Sequence, residues 1–179
     1  MEFAGPPFTF RFTQAGTNCG MVGPHAGIDF GGVTYWMGYD NFYVYTGAVK
    51  KVPCTVLSYV FDDFNSGQAY KTHAFTNTQY DEVGWFYCSG SSDEIDRYVS
   101  YNYAENAWAY GQLRRYAWLD SGVEAYPRAT DNGFLYEHET GFDDDGTPMT
   151  NVFVESSDFD IGDGEQFAFI NRMIPDIRF

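Results

Sequence analysis

The chain has 179 residues, 20% of them aromatic (17 Phe, 15 Tyr, 4 Trp), with 19 Gly and 7 Pro. Aromatics favour strands, and Gly and Pro at this frequency break up long helices, so helical bundles, coiled coils and collagen-like rods are excluded. Ten Lys and Arg against 25 Asp and Glu leave a formal charge of -15, which repels phosphate backbones and anionic membranes and argues against specific nucleic-acid or membrane binding. No apolar run is long enough to span a bilayer. The opening MEFAGPPFTFRF lacks the basic flank and apolar core of a signal peptide.

Residues 1–32 read as an N-terminal extended segment. Phe8 to Phe12 alternates as a strand, and a short strand falls near Ile28. Residues 33–179 read as a blade-like β domain. Val33–Met37 and Phe42–Tyr45 flank the turn composition Gly38-Tyr39-Asp40-Asn41 and form a predicted hairpin. Val49 to Val52 follows as a strand that Pro53 stops. Thr55 to Phe64 is the best helix, with Val56, Tyr59, Val60 and Phe64 at helical spacing and Asn65-Ser66-Gly67 ending it. Strands are expected at Lys71–Thr76, Val83–Tyr87, Arg97–Tyr103 and Trp108–Leu113, with Ser89 to Asp93 a loop and Ala104-Glu105-Asn106 a turn. Tyr116–Leu119 follows. Then Ala129-Thr130 and Phe134–Glu137 flank Asp131-Asn132-Gly133, where Asn-Gly marks a hairpin. Gly141 to Pro148 is an acidic loop, and Asn151–Val154 and Gln166–Ile170 are the last strands.

An imperfect repeat runs through these elements. Val33–Met37 resembles Val83–Tyr87, and Asn41–Tyr45 resembles Arg97–Tyr101 and Gly133–Tyr136. The offset, on the order of 45 to 55 residues, is the size of a four-stranded propeller blade. The predicted fold class is therefore mostly β: a partial or open β-propeller-like arrangement of antiparallel aromatic blades with one short helix. The alternative is a β-sandwich. About three blades fit the length, and closure needs at least four.

Candidate chemistry is sparse. Cys19, Cys54 and Cys88 form no CxxC pair and read as reduced residues filling strand positions. Asp143 to Asp145 and Asp158 to Glu165 could hold Ca²⁺, but neither fits an EF-hand. Counted from Asp143, the Gly and closing Glu positions hold Pro148 and Val154; counted from Asp158, they hold Asp163 and Phe169. Both read as solvated turns. His138-Glu139 begins like a zinc-protease motif, but the second His position is Phe142. Glu137 and Glu139 are expected to face solvent. His25 and His73 show no partner pattern. Gly90-Ser91-Ser92 lies in an acidic loop and is no nucleophile elbow. The carboxylate pairs Asp62-Asp63 and Asp81-Glu82 are undistinguished among 25 acids. Tyr35, Trp85, Trp108 and Trp118 could stack on sugars, although strand aromatics more often serve the core. The reading is of no catalytic residue, no cofactor and no metal.

Several phrases stand in order: GTNCGMVGPHA, GGVTYWMGYDNFYVYTGAVKKVPCTV, YVFDDFN, EVGWFYCS, DRYVSYNYAENAWAYGQL, GFLYEHETGFDDDG and ESSDFDIGDGEQFAFINRMIPD. Together they resemble virion proteins of tailed phages, similar to the tail nozzle or hub proteins of short-tailed phages. The resemblance implies a non-enzymatic, propeller-bearing tail subunit. Such a subunit forms a homo-oligomeric ring around the DNA channel with other tail proteins, and is assembled in the host cytoplasm and resident in the virion. It carries over no catalytic residue. Members are usually longer, so a fragment is expected, or a compact version completed by its ring neighbours. A glycan-binding module for host attachment is the alternative function.

Overall fold

The computed structural model describes residues 2–7, 9–144, 146–148, 150, 169 and 171–172. Two compact units divide the chain, 1–140 and 141–179. In the first, β1 (Glu2–Phe3) pairs antiparallel with β2 (Phe10–Arg11), within the alternation expected at 8–12.

Three meanders follow. The first sheet is β3 (Gly27–Phe30), β4 (Val33–Met37), β5 (Phe42–Tyr45) and β6 (Val49–Lys51), each antiparallel to the next. The hairpin β4–β5 is the predicted one, and β6 ends just before Pro53. The expected division at residues 32 and 33 falls inside the β3–β4 hairpin, where Phe30 pairs with Val33. Gly31 and Gly32 turn that hairpin at φ +60 and +80, a backbone that favours glycine.

Helix α1 (Leu57–Asp62) leads out of the sheet and buries Val60 completely. It is shorter than the predicted 55–64. Asn65 does not simply end it. The Asn65 side chain accepts from Gly67 N and caps a separate 3-10 segment, Ser66–Lys71. The next strand accordingly starts at His73, later than expected.

The second sheet is β7 (His73–Asn77), β8 (Glu82–Tyr87), β9 (Arg97–Asn102) and β10 (Ala107–Gly111). The third is β11 (Ala117–Leu119), β12 (Arg128–Asp131) and β13 (Phe134–Glu137). Every segment of the internal repeat occupies the same place in its meander: β4 and β8 are second strands, and β5, β9 and β13 are third strands.

Both faces of the second sheet are covered, which explains why five consecutive residues of β8, Val83 to Tyr87, are buried. Trp85 faces the first sheet, with ring centroids 4.7 Å from Phe42, and Trp108 approaches the same Phe42 at 4.7 Å. Phe75 and Phe86 face the other way, 5.0 and 6.0 Å from Trp118 of the third sheet. The sheets therefore stack in chain order. Their first strands also lie side by side: β3 and β11 both pack against β7. Just ahead of β3, His25 makes a parallel bridge with His73, and Ala74 N donates to His25 O at 2.8 Å.

In the second unit, the expected acidic loop holds a minimal hairpin, β14 (Asp143–Asp144) with β15 (Thr147–Pro148). The predicted strand Asn151–Val154 lies outside the described residues. So does Gln166–Ile170, apart from Phe169.

Candidate functional site

A concavity of about 760 Å³ opens where the first strands of the three sheets begin. His25 comes from the first sheet's approach, His73 from β7, and Tyr116 and Trp118 from the approach to β11 and from β11 itself. Lys71 and Glu94 stand at the rim. The 3-10 segment ends on Lys71, so its cap sets that ammonium beside the cleft.

Lys71 Nζ donates to Glu94 Oε1 at 3.1 Å and to Asp93 O at 2.6 Å, while Tyr116 OH donates to Glu94 Oε2 at 3.0 Å. Hydrogen bonding to Lys71, then to Tyr116, holds the Glu94 carboxyl below the usual carboxylate range, and the same bond raises the Lys71 ammonium. Burial lowers His73, with nearby His25 adding to the effect. A backbone carbonyl at Lys71 opposes that shift. His73 is thus neutral near pH 7. The exposed rings of Tyr70 and Tyr116 flank the Lys71–Glu94 pair. This arrangement offers hydrogen bonds and ring faces to a polar ligand. It contains no nucleophile set against a base.

The residues nominated by sequence scatter. Trp85 is fully buried and its Nε1 donates to Ala26 O at 2.9 Å. Trp108 Nε1 donates to Pro53 O, and Trp118 Nε1 to Thr76 O at 2.7 Å. Tyr35 packs half-buried against the core, 6.4 Å from Tyr101. These four serve the packing of the sheets, and only Trp118 also reaches the cleft. Asp63 accepts from Gly90 N and lies 3.7 Å from Arg97. Asp81 turns the chain into β8 at φ 57 and accepts from Tyr103 OH at 3.1 Å. Glu137 is exposed and pairs with Arg128 at 3.2 Å. Glu139, beyond β13, accepts from Asn77 Nδ2 at 3.0 Å. His138 accepts from Arg115 Nε at 2.8 Å. In the Ser89–Ser92 loop, Ser89 Oγ donates to Asp96 at 2.7 Å. The three cysteines are free, and each lies outside the strands, not in them as expected.

Asp143 Oδ1 accepts from Gly146 N at 2.7 Å, closing its own turn. Asp145 and 158–165 lie outside the described residues. Among the described residues no three His, Cys, Asp or Glu side chains converge as a metal cluster, and no helix is long and apolar enough to cross a membrane. His25 and His73 meet across 48 residues of sequence through strand topology, which no local motif could signal.

No model of a known protein family matches the chain, and no curated protein matches its sequence.

Proposed function

We propose that this chain is a non-enzymatic structural subunit of a phage tail, a propeller-like arc of three blades that joins further copies or neighbouring tail proteins around the DNA channel. One observation carries the reading: three consecutive meanders stack in chain order with their first strands adjacent. Propeller blades have this topology, whereas a sandwich distributes consecutive strands between two facing sheets. Three blades do not close a ring, and the two terminal sheets keep aromatic and apolar groups on their outer sides. On the side of the first sheet turned away from the second, Trp36 stacks on Tyr43, and the loop carrying Asn18 and Cys19 lies against both rings. Leu119 and Leu135 are more than half exposed on the third. Neighbouring subunits in a ring would bury such faces and edges. The charge of -15 suits a surface past which DNA slides without sticking.

Glycan binding is the second reading, favoured by the cleft, where the Tyr70 and Tyr116 rings flank Lys71 and Glu94. The mass of the full chain in solution, run beside a glycan array, separates the two. A discrete oligomer silent on the array is the expected result. A stable monomer that binds a defined glycan, or hydrolyses one, overturns the structural reading.

A further inference from the structure

Where the third sheet meets the second, two carboxylates and a buried amide oxygen gather without a cation. Asn77 closes β7 and stands directly opposite Glu82, the first residue of β8. Across from them Glu139, just past β13, reaches back so that Asn77 Nδ2 donates to its Oε1 at 3.0 Å. That bond fixes the amide, because swapping its ends would set oxygen against carboxylate. The other arm, Asn77 Oδ1, has no partner, although Asn77 is only 3% exposed. A buried carbonyl oxygen left unpaired is costly. Among the described residues no Lys or Arg pairs with Glu82 or Glu139.

We propose that Glu82, Glu139 and the Asn77 amide oxygen form a binding site for a divalent cation of the calcium class. The donors are oxygen only, which selects a hard cation over zinc or copper. Two carboxylates neutralise a charge of two, and the orphaned Oδ1 gains the partner it lacks. Glu139 is exposed, so water completes the shell. A bound ion would tie the chain after β13 to the end of the β7–β8 hairpin, fastening the third sheet to the second. The site is independent of the tail reading above.

Chelator-stripped full-length protein is unfolded thermally with and without Ca²⁺, alongside Glu82→Gln and Glu139→Gln. Two carboxylates at a partly open site suit a dissociation constant of about 10⁻⁴–10⁻³ M. At tenfold excess over it, the wild-type midpoint rises by about 3–6 °C. Each variant loses most of that rise. Glu139→Gln sits on the surface and keeps the fold, as near-ultraviolet circular dichroism checks. An equal rise in wild type and variants moves the ion elsewhere, for example to the Asp143 hairpin, and overturns the proposal. No rise with Ca²⁺, Mn²⁺ or Mg²⁺ up to about 10 mM overturns it as well.

Discussion

Trp85→Ala is the sharpest perturbation of the stacked sheets. The indole has no exposed surface and lies on Phe42 of the first sheet, with Trp108 stacked 6.4 Å away. Removing it empties the seam between two sheets and costs about 3–5 kcal/mol. The hydrogen bond is the smaller part of that loss. Ala26 O also accepts from Met37 N at 3.0 Å, so deleting the indole N–H leaves no orphaned carbonyl. Trp85→Phe, which keeps a ring, therefore costs about 1–2 kcal/mol. Trp36 is the control. It stands one position past Tyr35, the residue of β4 that matches Trp85, on the side that carries no further sheet, where its Nε1 donates to Cys19 O at 2.8 Å and its ring stacks on Tyr43. Trp36→Ala is expected to cost less than half as much as Trp85→Ala. Urea unfolding followed by circular dichroism reads all three. In a chain of this size each kcal/mol moves the thermal midpoint by about 2–4 °C. A loss below about 1 kcal/mol for Trp85→Ala, or equal losses at the two tryptophans, would refute the stacking of the first sheet on the second.

Other consequences follow from the same packing. Gly84→Ala places a Cβ 2.4 Å from Phe75 Cζ and 2.7 Å from Val99 O, and is expected to lower stability by about 1–3 kcal/mol in the same assay. Cys88 is 1% exposed and burial pushes its thiol up to about 11, so iodoacetamide at pH 8 should leave it unmodified in the native protein and alkylate it in urea, as peptide mass mapping would report. His73 is held neutral by burial, its folded value below the unfolded one. Its contribution is complete above about pH 6.5 and is lost as pH falls through the folded value, with a slope of at most about 1.4 kcal/mol per unit. His73→Phe keeps the ring on Phe86 and should flatten that acid limb; an unchanged slope would show that another group carries it.

The fold was legible where the pattern was local. Asn132-Gly133 and Gly38 to Asn41 announced their hairpins, and repeated aromatic phrases announced equivalent strands, because turn chemistry and alternation act over a few residues. The 3-10 segment at Ser66 was hidden, since Asn65-Ser66-Gly67 reads equally as a stop and as a cap followed by a new turn. The cysteine placement was misread because burial does not require a strand: Cys88 is buried just beyond β8. Candidate sites were least legible. His25 with His73, and Asn77 with Glu139 across 62 residues, are brought together by sheet stacking alone. Individually these residues look like ordinary surface or turn positions.

Negative-stain images of the purified 20.3 kDa chain test the central claim most directly. The account predicts closed rings of uniform diameter around a central opening, built from several copies. Uniform single particles of one chain's mass, unchanged at high protein concentration, would contradict it.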